Sequence, residues 1–99
     1  SGEQTRDFVH VDDVVYANIL SANMKYSDYN VFNIGSGIEY SVNALADFFN
    51  NGIPIEYKPS LNEPLKSLAD INKTQRELGW TPRTKLVNWI EDYKIKLGI

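Results

Sequence analysis

Arg6-Asp7-Phe8-Val9-His10-Val11-Asp12-Asp13-Val14 changes its hydrophobic period midway. Its first part, Asp7 to Val11, is short and β-prone and predicts a strand of four or five residues. From Asp12 onward the period lengthens. Val14, Val15, Ala17, Ile19, Leu20, Ala22 and Met24 then cover a broad helical face. Asp12 and Asp13 stand where an N-cap and the positive end of the helix dipole favour carboxylates. A strand passing straight into a helix is the building unit of α/β architecture.

Working outward, Ser27-Asp28 breaks this helix, and Val31-Phe32-Asn33-Ile34 predicts a second strand, small, uncharged and suited to burial on both faces. Gly35-Ser36-Gly37 closes it. Ser41 is a candidate N-cap for a helix carrying Val42, Leu45, Ala46 and Phe49 and ending at Asn50-Asn51-Gly52. Ile53 to Tyr57 predicts a third strand, with Pro54 confined to its start or edge. Pro59 to Pro64 is a polar loop. Asp70 is the expected N-cap of a short helix that ends at Gly79, and Leu86, Ile90, Tyr93 and Leu97 form the apolar stripe of a last one. About four helices and three short strands give an α/β class, bordering on α+β. Three strands make half a sheet at best. The expectation is a fragment of a larger α/β enzyme, against the alternative of a small free-standing α+β domain.

Ninety-nine residues allow one domain. The absence of cysteine excludes disulfides, cysteine nucleophiles and Cys-based zinc sites, and a single histidine excludes multi-histidine clusters. No apolar run is long enough to span a membrane, so a cytoplasmic protein is expected. Net charge is −3, unevenly spread: residues 1–50 carry two basic and seven acidic groups, residues 51–99 eight and six. An acidic half argues against a nucleic-acid partner, which demands a positive stripe. It also isolates Arg6, the only arginine before Arg76. Either Asp7, Asp12 or Asp13 neutralises it, or it is kept for an anionic ligand.

His10, Asp12 and Asp13 invite a metal, but their position at a strand-to-helix turn favours capping, so no metal site is expected. His10 has no serine or cysteine to activate, and no catalytic residue is assigned. Gly35-Ser36-Gly37 follows a strand as a phosphate loop would, yet lacks the third glycine of G-x-G-x-x-G and any Walker lysine. Its glycines are better suited to positive φ and to close backbone approach. Arg6 and Phe8 share a strand face at i, i+2; a guanidinium fork matches phosphate oxygens, and an aromatic neighbour can lie against a flat ring. Asn33 and Asp70 are expected to be structural.

Four stretches in order carry a wider resemblance: Arg6 to Val14; Phe32-Asn33-Ile34-Gly35-Ser36-Gly37 with Ser41; Ile55-Glu56-Tyr57; and Ala69-Asp70-Ile71 with Glu77-Leu78-Gly79-Trp80-Thr81-Pro82. Together they cover nearly the whole chain, which resembles the C-terminal part of extended short-chain dehydrogenases/reductases, the NAD-dependent nucleotide-sugar epimerase/dehydratase family. The resemblance implies that residues 1–99 are a single C-terminal substrate-binding lobe that completes a Rossmann-type enzyme. It also implies that NAD and a Tyr-x-x-x-Lys pair belong to an N-terminal domain absent from this chain. None of the six tyrosines has a lysine four residues on. The chain alone is therefore expected to hold no cofactor and to be inactive.

By the same resemblance Arg6 falls on the arginine that grips the diphosphate of a nucleotide sugar such as a UDP-sugar, and Phe8 on the aromatic near the base. Where the family places a second diphosphate arginine followed by Gly-Asp, this chain has Ser60-Leu61-Asn62-Glu63. Glu63 retains the means to accept from a ribose hydroxyl. Ser60 cannot replace a guanidinium, and Lys58 or Lys66 would compensate only as point charges. That departure keeps two alternatives open: a reductase of the same family with another substrate, and a non-enzymatic remnant or interaction module. An orphaned edge at Val31 to Ile34 further predicts a homo-oligomer of the isolated chain.

Overall fold

The computed structural model describes residues 1–24, 30–50, 52, 54–59 and 62–99. In chain order these form β1 (Thr5–Asp7), α1 (Val11–Ala22), β2 (Glu39–Ser41), α2 (Val42–Phe48), α3 (Asn72–Leu78) and α4 (Leu86–Leu97). The result is an α/β fold with four helices and a small antiparallel sheet.

The sheet pairs Thr5 with Ser41, Arg6 with Tyr40 and Asp7 with Glu39. The other edge of β1 is also used: Thr5 N–H donates to Leu65 O at 2.8 Å, and Ser67 N–H donates to Thr5 O at 3.2 Å. β1 is thus held on both sides, although it starts earlier and is shorter than the Asp7–Val11 strand that the sequence suggests. Phe8 to His10 leave the ladder because the chain is already turning into α1. Two of the expected strands do not form among the described residues. Val31 to Ile34 is not buried on both faces but alternates exposed and half-buried, and its Val31 and Asn33 carbonyls accept from the α3 side chains of Lys73 and Thr74. Pro54 to Tyr57 is exposed and irregular, and Ile53 lies outside the described residues. The expected breaks at Ser27-Asp28 and at Asn51 also lie outside them; α2 itself stops at Phe48.

Capping departs from expectation in an informative way. His10, not Asp12 or Asp13, is the N-cap of α1: its Nδ1 accepts from Asp12 N–H at 3.0 Å. With Nδ1 spent as an acceptor, the 3.8 Å approach of Asp12 Oδ2 to that nitrogen is not an ion pair. Ser41 caps α2 as expected, accepting from Ala44 N–H at 3.0 Å. Asp70 Oδ1 accepts from Asn72 N–H at 3.0 Å although the cap position itself is Ile71, and Gly79 ends α3 in the left-handed conformation.

The core joins α1 to α3. Ala17, Ile71, Leu78 and Trp80 are buried, with Tyr16, Leu20, Met24, Phe32, Ile34 and Ala69 packed around them. Trp80 is fully buried, and its indole N–H donates to Asp13 O at 2.9 Å. Asp13, itself buried, accepts from Arg83 N–H at 3.1 Å and Thr84 N–H at 3.0 Å. One aspartate thereby fixes the segment that leads into α4. Of the expected α4 stripe, Ile90 is buried and Leu86 half-buried, while Tyr93 and Leu97 are exposed.

Candidate functional site

β1 carries Arg6 to the rim of the sheet. Its Nη1 donates to Thr5 O at 2.6 Å, and its Nη2 lies 3.4 Å from Glu63 Oε1. The same Glu63 oxygen accepts from Gln4 Nε2 at 3.2 Å. Two residues assigned by resemblance, distant in sequence, are therefore in contact. The pairing of β1 with Leu65 and Ser67 brings them together by anchoring the segment that follows Glu63. Arg6 is paired with Glu63 and not with Asp7, Asp12 or Asp13, because Asp7 and Asp13 are committed to backbone amides and Asp12 sits in the first turn of α1. The pair stays open to solvent, with the Arg6 and Glu63 side chains 26% and 43% exposed. Among the described residues Arg6 Nε carries no hydrogen bond, so the fork keeps a free donor.

Phe8 lies beyond the strand end. It lines an apolar cavity of about 330 Å³ with Val9, His10, Val11, Thr84, Leu86 and Trp89. The His10 ring stands 6.1 Å from that of Trp89, which stacks on Tyr93 at 4.9 Å. Arg6 and Glu63 do not line this cavity. The three assigned residues thus divide into a polar pair at the rim and an aromatic in an adjoining apolar hollow.

Asp7 explains why the glycine turn is not a phosphate loop. Its Oδ1 accepts from Ser36 N–H and Ser36 Oγ, both at 2.7 Å; its Oδ2 accepts from Gly37 N–H at 2.9 Å and Ala69 N–H at 3.4 Å. The amides that would cradle a phosphate already hold a carboxylate. Gly35 allows this approach, since a Cβ there would come within 2.6 Å of both Asp7 Oδ2 and Ala69 Cβ, and Gly37 supplies the positive φ of 75°. The described residues therefore do not fit the pyrophosphate of a dinucleotide. Lys66 reaches Glu39 at 3.8 Å, Lys58 is exposed, and Ser60 and Leu61 lie outside the described residues. No group of three or more metal-ligating side chains occurs among the described residues, nor any helix long and apolar enough to cross a membrane.

Sequence reasoning overlooked two residues near the site. Tyr40 stands opposite Arg6 in the ladder and packs edge-on to Phe48 at 5.7 Å. Only the alternation of Glu39-Tyr40-Ser41 could have marked it, and that is too short a signal. Asp7 was overlooked as a hub because its partners are backbone amides in distant segments.

Comparison with known proteins defines the class. Residues 1–35 match the NAD dependent epimerase/dehydratase family, and the chain belongs to it. A putative UDP-glucose 4-epimerase of Methanocaldococcus jannaschii is 39% identical over 92% of this chain and 32% of its own length. The UDP-glucuronic acid decarboxylase 5 of Arabidopsis thaliana is 32% identical over 99% of this chain and 31% of its own. Among solved structures, the UDP-glucose 4-epimerase of Thermotoga maritima with UDP-glucose superposes with a TM-score of 0.79 at 35% identity, covering 98% of this chain and 34% of that one. The chain spans about a third of the length of these relatives.

Proposed function

We propose that residues 1–99 are the nucleotide-sugar-binding lobe of a cytoplasmic NAD-dependent epimerase or dehydratase. A UDP-sugar is its substrate, and NAD and the catalytic groups belong to a separate N-terminal Rossmann lobe. Arg6 clamps the diphosphate through its free donors, Phe8 lies against the base, and Glu63 accepts from a ribose hydroxyl. When bound, NAD supplies a transient hydride acceptor. These residues hold the nucleotide half of the substrate still, so that the sugar alone is free to present itself to that chemistry. The contact between Arg6 and Glu63 carries the reading: it presents a guanidinium and a carboxylate together at an open rim, donors for phosphate beside an acceptor for hydroxyl. The family membership and the UDP-glucose in the Thermotoga relative support it.

Calorimetric titration of the full-length polypeptide that carries these residues tests the proposal. Arg6→Ala is expected to weaken UDP-glucose binding by about 10- to 150-fold and to leave NAD binding unchanged. Equal affinities in the two proteins would remove Arg6 from the site. A second reading, a reductase of the same family with another substrate, is favoured by Ser60 standing where a second arginine is expected. It requires that the native protein ignore UDP-sugars altogether while still binding the dinucleotide.

A further inference from the structure

The turn from β1 into α1 and the turn into α4 meet around the apolar hollow of about 330 Å³, at the small end of the roughly 300–1,000 Å³ of ligand pockets. Phe8 and Trp89 both line it, yet among the described residues their rings do not stack on one another. Trp89 instead stacks on Tyr93, at 4.9 Å and 15°, and Tyr93 meets Phe49 edge-on at 6.4 Å. That backing fixes the plane of an indole whose residue is still 38% exposed. A braced and exposed indole is a stacking surface for a flat ring. The polar groups around the hollow are few. His10 Nδ1 accepts from Asp12 N–H, so the neutral ring carries its proton on Nε2, a donor without a partner among the described residues. Thr84 gives its N–H to Asp13, while its hydroxyl makes no hydrogen bond among the described residues.

We propose that Trp89 is a base-binding residue and that this hollow takes the uracil ring of the nucleotide sugar: the ring enters between Phe8 and Trp89, His10 Nε2–H donates to one of its carbonyls, and the Thr84 hydroxyl accepts from its imide N–H. This deepens the UDP-sugar reading above and rests on it. No carboxylate, lysine or arginine lines the hollow, so it suits the neutral end of the substrate and not the diphosphate. Its place relative to Arg6 fits as well. Two residues of chain reach at most about 7 Å, so a guanidinium for phosphate and an aromatic wall for the base stand about one ribose apart. The edge of uracil alternates carbonyl, imide N–H and carbonyl, and a donor beside an acceptor is what His10 and Thr84 offer. A base out of its helix is held in this way, by aromatic faces and by hydrogen bonds on its edge.

The two tryptophans of the chain make the test direct, since Trp80 is fully buried and Trp89 is not. UDP is titrated into the full-length polypeptide and into its Trp89→Phe variant while indole fluorescence is followed, with pyrophosphate, which has no base, as the control. UDP is expected to quench the native protein, the quenching to disappear in Trp89→Phe, and pyrophosphate to quench neither. Trp89→Ala is expected to weaken UDP-glucose binding roughly 5- to 30-fold at unchanged NAD affinity, the lower half of what a base–aromatic stack contributes. Trp89→Phe should restore most of that loss. Thr84→Val keeps the shape but not the hydroxyl; it should weaken binding about 2- to 12-fold, and it decides the matter if Trp89→Ala does not fold. Equal quenching in the native protein and Trp89→Phe would overturn the proposal, as would native-like UDP-glucose affinity in both Trp89→Ala and Thr84→Val. A loss of NAD binding in step with UDP-glucose would also overturn it, because Trp89 would then serve the fold. If Arg6→Ala weakens UDP-glucose binding and Trp89→Ala does not, the base site alone fails; if the native protein does not bind UDP-glucose, the wider reading fails with it.

Discussion

Asp13 and Glu63 each tie distant segments together, and they do so under opposite conditions. Asp13 is 3% exposed and accepts from two backbone amides of the Arg83–Thr84 turn, while its own carbonyl takes the Trp80 indole. Glu63 sits on an exposed loop and is met by two flexible side chains, Gln4 and Arg6. The first carboxylate has exchanged water for fixed donors and is committed to the fold. The second has kept its water, and its pairing contributes little to stability. Burial thus decides which charges hold the fold together and which remain accessible to solvent.

The largest expected effects fall on the buried side of this contrast. Trp80→Ala should cost about 3–5 kcal/mol, because a fully buried ring leaves a cavity that its surroundings fill only in part. Asp13→Ala should cost on the order of 2–4 kcal/mol by leaving the Arg83 and Thr84 amides without their acceptor. Asn at the same position retains one acceptor and should cost less than Ala. Urea unfolding measures all three. A midpoint for Asp13→Ala within error of the native protein would erase the distinction drawn between the two carboxylates.

The sequence makes visible what rests on local periodicity and chemistry. The α1 helix, the Ser41 cap, the Gly79 terminus and the strand-to-helix turn after Arg6 all follow from neighbouring residues, but the broad α1 face does not, since Val15, Ile19 and Ala22 are exposed. Strand pairing does not either. β2 is three residues long, and its partner β1 was drawn toward Phe8-Val9-His10 by their β-branched and aromatic character, although the chain there is already entering α1. Val31 to Ile34 has a strand's pattern but, among the described residues, lacks a ladder. At the site, Arg6, Phe8 and Glu63 were named through resemblance. Their residue types alone left Arg6 open between an ion pair and an anion site, and the structure puts Glu63 in contact with it. The role of Asp7 was illegible because it depends on amides brought in from residues 36, 37 and 69.

On the exposed side the comparison predicts a functional effect with little change in stability. Arg6→Ala in the full-length polypeptide should raise the KM for a nucleotide sugar by about 10- to 150-fold, leave the KM for NAD unchanged, and change the unfolding free energy by less than about 0.5 kcal/mol. Arg6→Lys should restore part of the loss, since it returns the charge but not the planar fork. Steady-state kinetics with each substrate varied separately decides the matter. Full recovery by Lys would mean that Arg6 acts only through its charge, and that the geometry of its pairing with Glu63 is irrelevant to binding.

The smallest effect belongs to Glu63, and it separates two ways in which that carboxylate can act. If it accepts a hydrogen bond from a ribose hydroxyl, Glu63→Gln keeps an acceptor oxygen and should bind UDP-glucose nearly as the native protein does. Glu63→Ala removes the acceptor, and a neutral hydrogen bond worth about 0.5–1.5 kcal/mol translates into roughly 2- to 12-fold weaker binding. If Glu63 acts instead by holding the guanidinium in place, both variants lose the Arg6 ion pair and should weaken binding alike. A third outcome has a physical basis too: a carboxylate 3.4 Å from Arg6 Nη2 competes with phosphate for the same donors, and its removal would then tighten binding in both variants. Titration of UDP-glucose into the two variants at fixed ionic strength, because screening alters the Arg6 contribution, tells these apart. Only the pattern in which Gln is retained and Ala is lost supports the ribose contact. Neither substitution should shift the unfolding midpoint measurably, since among the described residues Glu63 takes part only in exposed contacts.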